Sequence, residues 1–287
     1  MIAPDILMQA QSIADRLAAI PGVCAVALGG SWARGAGDSS ADIDIGIYYD
    51  PADPPALTNL RRLAAALDDG KSGDAVTDFG GWGPWINGGA WLVVDGQRVD
   101  WIYRDVQQVA HIIDECCAGR PATYYQPGHP HGFHTPIYMA EIAVALPLHD
   151  PTGVIAALKA RTAPYPETLR RTMIANNLWE AKFALDTTRK SAVRGDVMHV
   201  SGGLFRCAAC LVQALFALNE QYCLNEKGAL AAVEQFPLRP TEFVTRVKRT
   251  LSHLGVGAAG LQVSVETFDW LVVETRGLCA EVGFDSL

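Results

Sequence analysis

The stretch ADIDIGIYY, residues 41–49, constrains the fold of this chain more than any other segment. Successive side chains of a β-strand point to opposite faces of the sheet. Ile43, Ile45 and Ile47 are therefore predicted to point into a core, whereas Asp42 and Asp44 share the opposite face, about 7 Å apart along the strand. Two carboxylates on one face repel each other unless a cation lies between them. The stretch thus predicts a sheet with one buried face and one cation-binding face.

The residues upstream of this strand have the properties of a phosphate-binding turn. Gly29 and Gly30 allow the backbone to approach an anion closely, and Ser31 adds a hydroxyl group and begins a short predicted helix. Arg34 follows one turn later, where a guanidinium group can pair with phosphate oxygens. Mg²⁺ prefers oxygen ligands and often binds one or two carboxylates together with substrate phosphates. The turn and the aspartates together predict a site for Mg²⁺ and a phosphate group.

The periodicity of apolar residues divides the chain into two parts. The first part alternates between helices (5–19 and 56–68) and strands (23–28 and 41–49), and Asp95-Gly96 indicates the turn of a hairpin over 90–105. Beyond about residue 105, helices are predicted over 105–117, 136–146, 167–192, 197–222, 227–235, 239–254 and 262–282. The chain is therefore interpreted as an α+β protein, with one domain over residues 1–150 and a helical domain over residues 151–287.

The pattern G-G-S, ten residues, D-x-D resembles the signature of the nucleotidyltransferase superfamily typified by polymerase β. In detail, GGSWARG and SADIDIGIYY are similar to its small bacterial branch, which includes the minimal nucleotidyltransferase domains and the aminoglycoside nucleotidyltransferases. The resemblance covers residues 23–104. It implies an N-terminal nucleotidyltransferase fold, a mixed sheet flanked by helices, followed by a C-terminal helical bundle.

The resemblance also implies which carboxylates perform the chemistry. In the family, the two motif aspartates and a third acidic residue on a later strand hold two Mg²⁺ ions. Asp42 and Asp44 match the motif, and Asp100 in QRVDWIY matches the third position. These three residues are therefore the expected metal ligands and catalytic residues, with Asp100 either a base or only a ligand.

Other residues are expected to bind the nucleotide. Gly30 and Ser31 match the family positions that bind the triphosphate, and Arg34 lies beside them. The segment ALFALNEQYCLNEKG, residues 214–228, is similar to a part of aminoglycoside-type enzymes in which a lysine reaches the triphosphate. Lys227 would be that lysine.

These assignments imply a Mg²⁺-dependent nucleotidyltransferase. The expected reaction moves a nucleoside monophosphate, AMP from ATP, to a hydroxyl group of a small, aminoglycoside-like molecule, as in antibiotic resistance. Two alternatives are a protein- or tRNA-modifying enzyme of the toxin–antitoxin type and a non-catalytic nucleotide-binding regulator. The segment 119–153 resembles uncharacterised bacterial members more than the named resistance enzymes, which leaves the acceptor open.

Some side chains have two interpretations each. Trp82, Trp85 and Trp91 either line an acceptor pocket or serve as packing residues. Asp78 and Glu180 either contact the acceptor, one of them as a base, or have a structural role.

Composition narrows the partners and the location. A net charge of −8 and the lack of a basic stripe argue against nucleic acid. No uncharged apolar run reaches the length of a membrane span, and the first residues lack the basic region of a signal peptide. Seven cysteines, an odd number, indicate reduced thiols and a cytoplasmic location. Nothing in the sequence indicates an oligomeric state.

Two sets of residues invite a metal interpretation that their spacing does not support. Cys207 and Cys210 lie in an apolar helical run and are predicted to be small apolar residues on one helix face. His129, His131 and His134 in GHPHGFH fit no common zinc site, and we expect them in a loop near the active site.

Overall fold

The computed structural model describes residues 2–38 and 41–284. The strands are β1 (Val23–Leu28), β2 (Ile43–Tyr49), β3 (Gly89–Val94), β4 (Gln97–Asp105), β5 (Thr123–Tyr124), β6 (Phe133–His134) and β7 (Leu146–His149). The helices are α1 (Pro4–Ala18), α2 (Gly30–Ala33), α3 (Leu57–Leu67), α4 (Val106–Cys117), α5 (Pro136–Val144), α6 (Val154–Ala160), α7 (Glu167–Val193), α8 (Val197–Leu218), α9 (Ala229–Val233), α10 (Phe243–Ser252) and α11 (Ala258–Glu281). The predicted α+β class, a mixed sheet with helices followed by a helical region, is confirmed.

The chain forms two compact units. The sheet unit comprises Met1–Glu115 and Tyr138–Pro164, and the helical unit comprises Cys116–Ile137 and Tyr165–Leu287. This division differs from the predicted domains 1–150 and 151–287 in the segments 116–137 and 151–164. The chain leaves the sheet unit after α4 and returns to it through α5 and β7, a long-range path that local periodicity does not reveal.

The sheet unit contains a mixed five-stranded sheet with the strand order β3-β4-β2-β1-β7. β2 and β4 are parallel, and the other neighbouring strands are antiparallel. The predicted hairpin is present, with Asp95 and Gly96 at φ 52° and 77° in the turn between β3 and β4. The predicted helix over 136–146 ends at Val144, and the chain continues as the edge strand β7, where Pro147 is tolerated because an edge strand has fewer donors to pair.

The core of this unit lies between one face of the sheet and helices α1 and α3. Ile43, Ile45 and Ile47 are completely buried on that face, together with Trp101 of β4 and Leu17 of α1. Burying each such side chain contributes about 1.5–3 kcal/mol. The alternation predicted from the sequence therefore holds, and the opposite face of β2 and β4 is left to polar side chains.

Helix α5 packs on one end of that polar face through a buried ion pair. Arg104 of β4 is 3% exposed. Its Nε and Nη2 donate to Oε2 and Oε1 of Glu141 at 2.7 and 2.6 Å. Its Nη1 donates to the carbonyl groups of Ile86 and Tyr103, both at 2.9 Å, and the guanidinium lies over the ring of Tyr138. Helix α5 is thus fixed to the sheet by a fully bonded charge.

In the helical unit, α7, α8 and α11 pack against one another, and α10 packs against α8 and α11. Helix α8 begins at Asp196, whose side chain accepts a hydrogen bond from the N–H of His199. It ends at Leu218 rather than at the predicted residue 222, because Glu220 adopts a φ of 54° that a helix does not allow. No disulfide joins any two of the seven cysteines in this description.

Helix α8 is long and apolar enough, by length and composition alone, to cross a membrane. This finding does not contradict the expectation that no uncharged apolar run reaches the length of a membrane span, because Arg206 lies within α8. Most of the apolar window of α8 (67%) is buried inside the protein. This burial is what a core helix of a folded unit shows.

Removing the carboxylate of Glu141 should destabilise the sheet unit, because the guanidinium of Arg104 then stays buried without its counter-charge. We expect Glu141→Ala to lower the free energy of unfolding in urea by about 3–5 kcal/mol. The double variant Arg104→Met, Glu141→Leu removes both charges and should recover most of this loss. A Glu141→Ala variant as stable as the wild type would show that α5 is not held by this pair.

Candidate functional site

Asp44 and Asp100 lie side by side on the polar face of the sheet. The parallel register of β2 and β4 pairs Asp44 with Asp100 and, one residue earlier, Ile43 with Val99. Paired residues of neighbouring strands point to the same face, and the apolar pair belongs to the core. The structure therefore brings together two of the three predicted carboxylates, and Asp42 lies one residue before β2.

The electrostatic environment of Asp44 is strongly negative. Burial, and then the carboxylates of Asp100, Asp42 and Glu141, raise the pKa of Asp44 to about 7, against a smaller lowering by Arg34. The face thus concentrates more negative charge than its own cations offset. A bound cation would relieve this repulsion directly.

The turn after β1 approaches Asp44 very closely. The N–H of Gly29 donates to the carbonyl group of Asp44 at 2.8 Å. Gly30 has a φ of 61°, and a Cβ atom there would lie 1.7 Å from Oδ2 of Asp44. Glycine is therefore required at position 30 both by its backbone conformation and by the space available. Because α2 is a single turn, an anion here would depend on the turn backbone more than on a helix dipole.

Asp42 is engaged in an ion pair. Its Oδ1 lies 2.5 Å from Nε of Arg98, and this buried oxygen has no well-aligned hydrogen bond. Across residues 2–38 and 41–284, no three His, Cys, Asp or Glu side chains converge closely enough to hold a metal ion as they stand. The three predicted ligands are thus neighbours on the sheet, but their carboxylates do not surround a common point.

The predicted phosphate-binding residues lie in both units. Ser31, half-buried, belongs to α2 directly after Gly30, and Arg34 is the exposed C-cap of α2. Lys227 lies in the helical unit and is exposed, and its N–H donates to Oδ1 of Asn225 at 2.9 Å. The sheet unit therefore brings Gly30, Ser31 and Arg34 next to Asp44, whereas Lys227 belongs to the other unit.

An exposed pair of tryptophans borders the carboxylates. Trp91 of β3 is paired with Asp100 of β4 and so points to the same face. It is 67% exposed and stacks on Trp82, with the ring centroids 4.7 Å apart. Trp85 instead uses its carbonyl group to accept a hydrogen bond from the hydroxyl of Tyr138 at 2.6 Å. All three tryptophans remain candidates for an acceptor-binding surface, because the hydrogen bond at Trp85 involves its main-chain carbonyl group and not its ring.

Glu141 is a charged neighbour of Asp44 that sequence reasoning missed. No spacing connects it with the aspartates, because α5 reaches the sheet only through the fold. The one signal for it in the sequence is a single charged residue within the apolar helical segment PIYMAEIAV. The negative charge of Glu141 raises the pKa of Asp44, and the ion pair of Glu141 with Arg104 attaches α5 to this end of the polar face.

The two alternative acidic residues have structural partners. Asp78 forms an ion pair with Arg61 at 2.7 Å in the sheet unit, and Glu180 forms one with Arg206 at 2.5 Å in the helical unit. Cys207 and Cys210 are buried on α8, as predicted for apolar residues.

Comparisons with known proteins add a coarse context. The family described as "Domain of unknown function (DUF4037)" matches residues 138–227. A solved structure from Exiguobacterium sibiricum, a nucleotidyltransferase-like protein, is similar over 96% of this chain and 79% of that chain, with a TM-score of 0.44 and 10% identity. None of the curated proteins matches this sequence. The family match includes Glu141 and Lys227 but none of the three aspartates.

Replacing Asp44 should change how stability depends on pH. Its raised pKa means that the folded protein keeps a proton that the unfolded chain releases near pH 4. Stability therefore falls as the pH rises from about 4 to about 7. Asp44→Asn removes this contribution, so the stability of the variant relative to the wild type should rise by about 1–3 kcal/mol between pH 4 and pH 8.

This difference is measurable by urea unfolding in EDTA at several pH values. Asp95→Asn, at the exposed hairpin turn, is the matched control, and its difference from the wild type should not follow the same curve. A pH-independent difference for Asp44→Asn would contradict the raised pKa.

Replacing Gly30 should disturb the site itself. Gly30→Ala and Gly96→Ala both place a Cβ on a residue with positive φ, which costs about 1 kcal/mol. Only at position 30 does the new atom meet Asp44, since nothing lies within 4 Å of it at position 96. We expect Gly30→Ala to be the more destabilising change, by at least about 1 kcal/mol in thermal unfolding. Equal losses would show that the turn does not press on Asp44.

Proposed function

We propose that this protein is a Mg²⁺-dependent nucleotidyltransferase that transfers AMP from ATP to a hydroxyl group of a small molecule. The observation that carries the proposal is the pair Asp44 and Asp100, side by side on parallel strands, with the Gly29-Gly30 turn pressed against Asp44. A buried pair of like charges is costly unless a cation joins it. A glycine turn beside such a pair is suited to binding the phosphates of a nucleotide in complex with Mg²⁺.

The donor atoms on this face suit Mg²⁺, which takes oxygen ligands and often needs only one or two carboxylates from the protein. Asp44 and Asp100 would hold the two metal ions. Asp42 would become a further ligand if it released Arg98. When bound, two Mg²⁺ ions neutralise the triphosphate and stabilise the attacking and leaving oxygens of an in-line displacement. The raised pKa of Asp44 in their absence supports a place for such a charge.

The chain's own groups position the donor. Gly30 and Ser31 would offer backbone N–H and hydroxyl groups to the phosphates, and Arg34 would add a charge beside them. We also assign Lys227 to the triphosphate, as the resemblance of residues 214–228 implies. Each charge-assisted hydrogen bond of this kind is worth about 1.5–3 kcal/mol.

The reaction forms one bond and breaks one. The hydroxyl oxygen of the acceptor attacks the α-phosphorus, the bond from the α-phosphorus to the oxygen that bridges to the β-phosphate breaks, and pyrophosphate leaves. The hydroxyl proton passes to the carboxylate of Asp100, which acts as the base.

The acceptor side supports a small, aminated molecule. The negative face attracts a cation, and the exposed Trp82–Trp91 stack beside Asp100 offers an aromatic surface for an ammonium group or a sugar ring. An aminoglycoside-like acceptor, and hence a role in antibiotic resistance in the cytoplasm, is the proposal that follows. The seven cysteines without a disulfide agree with a reducing compartment.

The experiment is transfer from labelled ATP and Mg²⁺ to a panel of hydroxylated acceptors, including aminoglycosides and bulk tRNA, with the products identified by mass spectrometry. Asp100→Asn keeps the shape of the side chain and removes its charge. We expect transfer to fall by at least about 100-fold, with ATP binding retained through Asp44. Asp95→Asn makes the same change away from the site and should transfer normally.

Three outcomes would contradict the proposal in different ways. Transfer by Asp100→Asn at the wild-type rate would remove Asp100 from the chemistry. Labelling of tRNA or of protein alone would replace the small acceptor by a macromolecule. Binding of Mg-ATP by the wild type without transfer to any acceptor would favour a regulator.

A further inference from the structure

A cavity lies within the helical unit. Its volume is about 340 Å³, within the size range of small-molecule sites. Helix α8 forms one wall with apolar residues that include Phe205, Ala208 and Val212, and α10 contributes Val247 and Leu251. The segment around α9 completes the wall. The lining is predominantly apolar, so the body of a ligand here must be apolar as well.

Polar groups occur at few points of this wall, and one of them lacks a partner. Glu226 lines the cavity, and its Oε2 lies 3.2 Å from Nδ1 of His129. Its Oε1 is buried and has no hydrogen-bond partner among the described residues. An unpaired buried carboxylate oxygen is costly. Glu226 thus brings a carboxylate to the wall of an otherwise mainly apolar cavity.

The charges that face this oxygen leave it negative. Burial acts to raise the pKa of Glu226, but the hydrogen bond with His129, a backbone hydrogen bond and the charges of His129 and His134 together hold the pKa below its usual range. His131, which also lines the cavity, is neutral at pH 7 because burial lowers its pKa to about 2, and burial lowers the pKa of His134 behind it to about 4.

Two other cationic side chains lie near Glu226, and neither forms an ion pair with its carboxylate. Arg206 is paired with Glu180 and donates to the carbonyl group of His131 at 2.6 Å. Lys248 lines the cavity, but its side chain is exposed and forms no ion pair with Glu226 in the described structure. A solvated lysine contributes less to binding than a partly buried carboxylate does.

We propose that this cavity binds a small molecule with an apolar body and a protonated amine, and that the amine pairs with the carboxylate of Glu226. The apolar walls of α8 and α10 select the body, and the carboxylate selects the head group. None of the residues that line this cavity has been assigned a role in the transfer reaction.

The test uses the full chain and three eight-carbon probes that differ only in the head group: octylamine, octanol and octanoate. Calorimetry at pH 7 should show that octylamine binds at least about tenfold more tightly than octanol, as expected of a charge-assisted hydrogen bond, and that octanoate binds most weakly. Glu226→Gln should bring the affinities for octylamine and octanol close together. Glu234→Gln, an exposed residue that follows α9 outside the cavity lining, removes the same charge and should keep the preference.

A second variant tests the place of binding. Ala209 lines the cavity, and Ala209→Phe should fill it and abolish binding of all three probes while the circular dichroism spectrum stays that of the wild type. If this variant does not fold, the head-group comparison in Glu226→Gln still decides the proposal. Tighter binding of octanoate, an unchanged preference in Glu226→Gln, or no binding of any probe by the wild type would overturn it.

Discussion

The parallel pairing of β2 with β4 is the constraint on which the candidate site depends. It places Asp44 and Asp100 next to each other on one face because Ile43, Ile45 and their neighbours must occupy the other. A shift of the register by one residue would move the aspartates into the core and the isoleucines into solvent. The burial of the isoleucines therefore holds two like charges together against their repulsion. A cation bound by the two carboxylates would relieve this repulsion and stabilise the folded state.

The groups around Asp44 and Asp100 also favour the binding of a cation. The turn at Gly30 packs so closely on Asp44 that it leaves no room for a side chain, which places the backbone of the turn directly beside the carboxylate. Glu141 adds negative charge, although its own pairing with Arg104 is what secures α5 to the sheet. One residue thus supports the fold and shapes the electrostatics of the site. In the helical unit, Glu226 contributes a carboxylate to the wall of a mainly apolar cavity.

Local patterns in the sequence predicted much of the fold and part of the site. The alternation around Ile45 and the Asp95-Gly96 turn each depend on neighbours in sequence, and both elements are present. The strand β7 and the role of Glu141 depend on contacts more than thirty residues away, which no period reveals. The ion pair of Asp42 with Arg98 likewise depends on how two strands meet. The assignment of Lys227 rests on resemblance alone and stays a prediction.

The most direct test of the central claim is the affinity of the wild-type protein for ATP, measured by calorimetry with Mg²⁺ and again in EDTA. If Asp44 and Asp100 form a site for a metal-bound triphosphate, ATP should bind at least about tenfold more tightly with Mg²⁺, a difference of about 1.4 kcal/mol. Asp44→Asn should lose this dependence on Mg²⁺. Equal affinities of the wild type in both conditions would contradict the account, because the paired carboxylates would then have no role in holding a cation with the nucleotide.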